Sequence, residues 1–281
     1  MSEIVYMNGS FMPREEASVD IEDRGYQFAD AIYEVIYFSG GTPFRLEPHM
    51  ERLRRSASEL DIGLPDLEEL KQDMFTLQQK NGLEDQNTKL YLQVSRGTQE
   101  RHHAFEPDLD PNVVMTISGF EGHPAHHYDQ GVQVITVPDD RWARCYIKTT
   151  ALISNGIAKT KAKQQGAFEA VFVRDGFITE GTSSNTFIVK GNQVITPPAS
   201  NYILDGITRN AVIELVQDSG YEMVERGISL DEYYNADEVF LTGTTTEVMP
   251  VVEVDDQSIG DGSAGEITQT LLQKYRSLLD S

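Results

Sequence analysis

Four lysines fall within sixteen positions of the stretch "RWARCYIKTTALISNGIAKTKAKQQG", residues 141–166: Lys148, Lys159, Lys161 and Lys163. Their settings differ. Three crowd together in "IAKTKAKQQG", which has the composition of an exposed helix end, with Lys159 and Lys163 one turn apart. They read as a solvated face. Lys148 stands alone in "RCYIKTT", where the spacing predicts a strand with Arg144, Tyr146 and Lys148 on one side. A buried lysine is costly unless it is paired or neutral. Desolvation and a neighbouring cation both favour the free amine, which can attack a carbonyl carbon and carry a proton. Taken by itself, the segment reads more simply as a half-buried strand lysine whose amine reaches solvent.

Other groups that could do chemistry have plainer readings. "HPAHH" places His123, His126 and His127 close together, but without a matched carboxylate or fourth ligand it reads as a solvated loop and no metal is expected. Cys145, the only cysteine, alternates away from Lys148 and reads as a small core residue. A single cysteine cannot form an intrachain disulfide, which fits a reducing, cytoplasmic setting. The N-terminal "MSEIVYMNGS" lacks a basic stretch followed by an apolar one, so no secretory signal is expected. A formal net charge of −22 supplies no basic footprint for nucleic acid or an anionic membrane. An anionic ligand would need concentrated positive groups, so single arginines and helix N-termini matter here.

The elements that must position these groups read as an α+β chain of 281 residues. A first domain is expected over 1–120, a linker over 121–131 in "GFEGHPAHHYDQG", and a larger domain over 132–281. Asn8-Gly9 and Gly40-Gly41 predict tight hairpins, as do Asp175-Gly176 and Lys190-Gly191-Asn192. "PHMERLRRSASELDIGLP" and "LEELKQDMFTLQQKNG" predict helices in the first domain, with further helices at 151–165, 206–219 and 264–279. Short strands such as "VQVITV", "RCYIK", "EAVFV", "FITEG" and "NTFIVK" predict a mixed sheet in the second domain. No G-x-G-x-x-G, no P-loop, no H-E-x-x-H and no paired C-x-x-C occurs, which removes the usual support for dinucleotide, nucleotide-hydrolysing and zinc-protease readings.

Lys148 does not stand alone, however. "RWARCYIK", "DRGYQFADAIYEV", "HMERL", "RGTQERHHAF", "TEGTSSNTF", "LDGITRN" and "FLTGTTTEVMPV" run from residue 23 to 251. Together they resemble the fold-type IV (class IV) pyridoxal-phosphate aminotransferases, and within them the D-amino-acid (D-alanine) aminotransferases. The resemblance implies a two-domain α+β architecture, with a small α/β N-terminal domain, a larger mixed-sheet C-terminal domain and pyridoxal 5'-phosphate in the cleft between them. It also implies a homodimer that acts on amino acids and 2-oxo acids, with no nucleic-acid or membrane partner.

The same resemblance assigns roles residue by residue. Lys148 matches the Schiff-base lysine, which also moves a proton as general acid and base. Glu180 in "ITEGTSSN" matches the ring-nitrogen partner; alone it would read as a solvated turn residue before Gly181. Arg52 in "HMERL" matches the phosphate-binding arginine, against a plain reading as a helix-surface residue like Arg54 and Arg55. Leu204, Ile207 and Thr208 match the phosphate loop of "LDGITRN", which opens a helix, with Gly206 letting the backbone approach an anion. Thr244 and Thr245 match hydroxyl contacts, whereas Gly243 replaces a serine common in the D-alanine enzymes. Arg101 and His103 resemble the R-x-H pair that binds the substrate carboxylate from the neighbouring subunit, completed by Tyr33 and Val35 of "IYEV". Tyr146 departs from the aspartate often found there. The implied reaction is D-alanine plus 2-oxoglutarate to pyruvate plus D-glutamate in ping-pong half-reactions. A branched-chain L-aminotransferase, an (R)-amine transaminase, or a non-catalytic small-molecule-binding protein of the same fold are the alternatives.

Overall fold

The structure, a computed structural model, describes residues 3–280. The chain divides into two compact units. One holds the residues up to Glu121 together with Ile147–Ala151, and the other holds Gly122–Tyr146 and the residues from Leu152 onward. Lys148, read from the sequence as part of the larger domain, therefore belongs with the first unit.

The first unit contains β1 (Ile4–Met7), β2 (Ser10–Pro13), α1 (Arg24–Phe28), β3 (Ala31–Ser39), β4 (Thr42–Pro43), α2 (Leu46–Leu60), α3 (Leu67–Lys80), β5 (Thr88–Ser95) and β6 (Asn112–Gly119). Its strands form one antiparallel sheet in the order β2-β1-β6-β5-β3-β4. The two predicted hairpins form at Asn8-Gly9 and Gly40-Gly41, where both turn residues have positive φ, the signature of a type I′ turn. At Gly41 a Cβ would lie 1.7 Å from the Glu84 carbonyl oxygen, so no side chain fits. Along β3 the pleat buries Ile32, Glu34, Ile36 and Phe38 on one face and leaves Tyr33, Val35 and Tyr37 half-buried on the other. α2 lies against β3, and α3 against β1 and β6. The buried stripe of α2 carries His49, Met50, Arg52, Leu53, Ser56 and Ala57, which is helical spacing, so Arg52 points inward.

The second unit contains α4 (Ala125–Gln130), β7 (Val132–Pro138), α5 (Ile153–Gln164), β8 (Glu169–Arg174), β9 (Phe177–Gly181), β10 (Asn185–Lys190), β11 (Gln193–Thr196), α6 (Ile207–Asp218), β12 (Glu222–Glu225), α7 (Leu230–Tyr234), β13 (Glu238–Gly243), β14 (Glu247–Val254), β15 (Gln257–Ser258) and α8 (Glu266–Leu279). Its sheet runs β12-β11-β10-β13-β14-β7-β8-β9, with β15 on β14. The β11–β12, β14–β7 and β7–β8 pairs are parallel and the rest antiparallel, the mixed sheet expected. α6 and α8 pack on each other and on β13, and Phe187 and Phe240 stack at 4.8 Å in the core beneath.

Three local expectations change. "RCYIK" is not a strand: it turns irregularly, and Thr149 makes one isolated antiparallel bridge to Ile32. The expected linker holds α4, whose buried Tyr128 donates its hydroxyl to Glu247 at 3.0 Å. Lys159 is not a plain solvated charge, since its amine donates to the Phe168 carbonyl at 2.6 Å and sits 4.7 Å from that ring's centroid. Lys161 and Lys163 are exposed. Among the described residues, no helix is long and apolar enough to cross a membrane.

Candidate active site

In the first unit, Lys148 is held by backbone bonds on either side of Thr149. The Tyr33 amide donates to the Lys148 carbonyl and the Thr150 amide to the Ala31 carbonyl, each at 3.0 Å. The Lys148 amide donates to Ser56 Oγ of α2 at 3.3 Å. These contacts fix the main chain and leave the side chain to extend, with Nζ 4.2 Å from the centroid of the Tyr33 ring. Tyr33 also packs against Tyr91 at 5.6 Å, and Val35 follows two residues on along the same face of β3. The lysine thus lies over an aromatic ring with an apolar side chain beside it.

On the opposite face of β3, Glu34 is fully buried and accepts from Arg52 Nε at 2.8 Å and Nη2 at 2.7 Å. His49, one turn before Arg52 on α2, places Nδ1 2.8 Å from Glu34 Oε2. A carboxylate can only accept, so Nδ1 carries the proton. Burial pushes the Glu34 carboxyl up, but the Arg52 guanidinium and then His49 outweigh it and hold the group well below the usual carboxylate range. Burial holds the His49 imidazole below its ordinary value, keeping it neutral at pH 7. Arg52 is therefore a buried, oriented guanidinium and not a helix-surface residue. The sequence reading singled out Arg52, as a phosphate-binding arginine, but not its partners Glu34 and His49; the signal was their spacing, with "IYEV" supplying the acid and "HMERL" an i, i+3 pair.

Arg101 and His103 lie on the exposed loop between β5 and β6, around Phe28 at the end of α1. The Arg101 guanidinium carbon is 4.5 Å from the Phe28 ring centroid, and the His103 ring meets that ring edge-on at 5.9 Å. Among the described residues no carboxylate pairs with Arg101, whose one polar contact is Gln27 Oε1 at 3.3 Å. In a chain of net charge −22, a guanidinium left without an acid is available to a carboxylate ligand.

The second unit holds the acid. Glu180 sits on β9, 6% exposed, and not in a solvated turn. It accepts from Arg141 Nη1 at 2.6 Å, from the Leu204 amide at 2.9 Å and from Asn185 Nδ2 at 3.2 Å. Arg141 is also bound by Asp139, through Nε and Nη2 at 2.9 and 3.0 Å, so one guanidinium serves two carboxylates. Burial pushes the Glu180 carboxyl up to about 7 against the pull of that shared cation. Such a carboxyl suits one further positive partner, as a protonated pyridine nitrogen would be. Arg141, Asp139 and Asn185 escaped the sequence reading, in which nothing local joins Glu180 to a cation 39 residues away.

Leu204 leads into α6, whose N-cap Gly206 offers no side-chain cap and whose first turn holds no acidic residue. Free N–H groups and the helix dipole make that end an anion site. A Cβ at Gly206 would fall 2.1 Å from Asn185 Oδ1, which fixes glycine there. Ile207 and Thr208 are buried, with the Thr208 hydroxyl 3.5 Å from Tyr275 Oη. Thr244 and Thr245 form the centre of the turn from β13 to β14, closed by the Thr246 amide on the Gly243 carbonyl at 3.1 Å. Their hydroxyls have no partner among the described residues. At Gly243 a Cβ would meet Ser183 O and Thr246 Oγ1 at 3.4 Å, ordinary contact that admits a serine. Tyr146, the departure beside Lys148, receives the Arg144 guanidinium on its hydroxyl at 3.3 Å. In the first unit a lysine over an aromatic ring suits the aldehyde of pyridoxal phosphate, and within the second unit an under-compensated buried carboxyl and an uncapped helix N-terminus suit a ring nitrogen and a phosphate.

Comparison with known proteins identifies the family. The family model of class IV aminotransferases matches residues 31–254. A D-alanine aminotransferase from Bacillus licheniformis is 45% identical over 273 residues, covering 96% of this chain and 95% of the relative. A D-alanine aminotransferase from Staphylococcus aureus is 37% identical over 281 residues, covering 99% of each. Among solved structures, the Escherichia coli branched-chain amino acid aminotransferase superposes with a TM-score of 0.92 at 25% identity, covering 99% of this chain and 95% of that one. A branched-chain amino acid aminotransferase from Thermobaculum terrenum in its PLP-form gives 0.87 at 25% identity, covering 99% and 94%. The chain belongs to the class IV aminotransferases, a family of pyridoxal phosphate-dependent enzymes.

Proposed function

We propose that this protein transfers an amino group between D-amino acids, D-alanine and D-glutamate among them, and 2-oxo acids such as pyruvate and 2-oxoglutarate. The observation that carries the reading is Arg101 beside His103, an exposed cation with no acid partner among the described residues, in a chain 45% identical to a D-alanine aminotransferase. Bound pyridoxal phosphate supplies the carbonyl that takes up the amino group and a ring that draws electrons from the substrate α-carbon. Lys148 is the covalent anchor, and its Nζ takes the proton from the α-carbon and returns it. Glu180, backed by Arg141, would be the acidic partner of the ring nitrogen. Arg52, the backbone at Leu204, Ile207 and Thr208, and the hydroxyls of Thr208, Thr244 and Thr245 hold the phosphate. Arg101 and His103, with Tyr33 and Val35, receive the carboxylate and side chain of the amino acid.

The working form proposed is a cytoplasmic homodimer in which each carboxylate site is completed by the neighbouring subunit. The single cysteine fits the compartment, and the exposed stripe of Leu152, Ile153 and Ile157 supports association. A branched-chain L-amino acid selectivity is the second reading, favoured by the likeness to branched-chain enzymes of known structure. Spectra of the holoenzyme against D- and L-alanine, glutamate and leucine separate the two. In Lys148→Ala, the half-reaction with D-alanine is lost while the protein stays folded; undiminished turnover in that variant refutes the assignment.

A further inference from the structure

We propose that Phe28 is the positioning residue of the carboxylate trap, an inference that rests on the reading of Arg101 and His103 just given. Three cationic or polar groups converge on its ring: Arg101 at 4.5 Å, Arg24 at 4.7 Å and the His103 ring at 5.9 Å. The ring is itself fixed from below. Asp23 caps α1 by accepting from the Tyr26 amide at 3.1 Å, and its other oxygen accepts from Ser95 and Asn112, each at 2.6 Å. Arg24, 4% exposed, ties α1 to the loop, donating to Asp30 at 2.8 Å, to the His102 carbonyl at 2.8 Å and to the His103 carbonyl at 3.3 Å. Within the loop, Gln99 accepts from the Glu106 amide at 2.9 Å and donates to the Ala104 carbonyl at 3.0 Å.

The backbone of the loop is thus clasped by Arg24 and Gln99, but neither fixes the side chains that meet the substrate. Arg101 is a long, exposed side chain whose rotamer freedom would be lost each time a carboxylate binds. Phe28 removes much of that freedom in advance, because a guanidinium resting on an aromatic face already occupies a defined position. The T-shaped contact of the two rings does the same for His103. A leucine in its place fills similar space without offering a π face or an aromatic edge.

The test uses steady-state kinetics of the holoenzyme with D-alanine and 2-oxoglutarate. In Phe28→Leu, KM for D-alanine rises about 3- to 10-fold with kcat within about twofold, the scale of losing a cation–ring contact. Phe28→Tyr, which keeps the ring, behaves as wild type and guards against a folding defect in the leucine variant. In an Arg101→Met/His103→Ala background, adding Phe28→Leu leaves kcat/KM unchanged, because there is nothing left to position; a merely structural role would lower it further. If Arg101→Met weakens D-alanine but Phe28→Leu does not, the role given to Phe28 is wrong and the trap stands. If Arg101→Met leaves KM unchanged, the trap falls, and the positioning role with it.

Discussion

Replacing Glu34 by glutamine isolates the contribution of the buried cluster beneath β3. Glu34 is 0% exposed, Arg52 3% and His49 1%, and the carboxylate takes three hydrogen bonds at 2.7–2.8 Å. Glutamine keeps the shape but removes the charge, and its amide presents donors to a guanidinium that also only donates. Removing one partner of a buried ion pair costs about 3–5 kcal/mol, because the other charge stays buried without compensation. With a urea dependence near 3 kcal/mol per molar, the unfolding midpoint falls by about 1–1.7 M, read by circular dichroism at pH 7.5. The double variant Glu34→Gln/Arg52→Gln is more stable than Glu34→Gln alone, since the orphaned charge has gone. The pH dependence follows from the same cluster. Because the folded carboxyl lies below its ordinary range, its contribution is fully present above the unfolded glutamate value and is lost as acid protonates the folded form. The variant therefore loses less stability than wild type on acidification. A midpoint shift below about 0.3 M, or strictly additive losses in the double variant, refutes the reasoning.

Glu180 predicts the opposite sign in the cofactor-free protein. Its folded carboxyl is pushed up to about 7 by burial, so its contribution is present below the unfolded glutamate value and is lost as pH rises through 7. Urea stability measured at pH 5 and pH 8 falls more steeply for wild type than for Glu180→Gln; a steeper fall in the variant sinks the argument. Association is tested by sedimentation equilibrium, with twice the chain mass expected for wild type. The 78%-exposed Ile153 and 67%-exposed Ile157 lie one turn apart on α5, and Ile153→Asp shifts the protein toward monomer. A monomeric wild type at micromolar concentration overturns the dimer.

Much of the scaffold was legible because it depends on neighbours in the chain. Asn8-Gly9, Gly40-Gly41 and Asp175-Gly176 name their turns, since few residues other than glycine, asparagine and aspartate tolerate positive φ. The stripes of α2 and α3 and the uncapped start of α6 likewise follow from spacing and composition. "RCYIK" failed for a definite reason. Its alternation suits a strand, but a strand exists only where a partner supplies a ladder, and here the partner is β3 for a single bridge. The helix α4 within the expected linker was not legible for the same reason, because Tyr128 finds its place against Glu247 and the chain around Gln269, over a hundred residues on.

The sequence by itself supplied the candidates for the chemistry, and did so only where several segments together resemble one family: the isolated Lys148, the acid of "ITEG", the helix opening at "GITRN" and the R-x-H pair. Residue type decides whether a side chain can be a nucleophile, a cation or an acceptor. Only the tertiary structure decided how each group is tuned. It buried Arg52 on Glu34, divided Arg141 between Asp139 and Glu180, left Arg101 without an acid among the described residues and set Phe28 between that arginine and His103. Protonation and orientation depend on desolvation and on charges within a few ångströms, and those neighbours are brought together by the fold from distant parts of the chain.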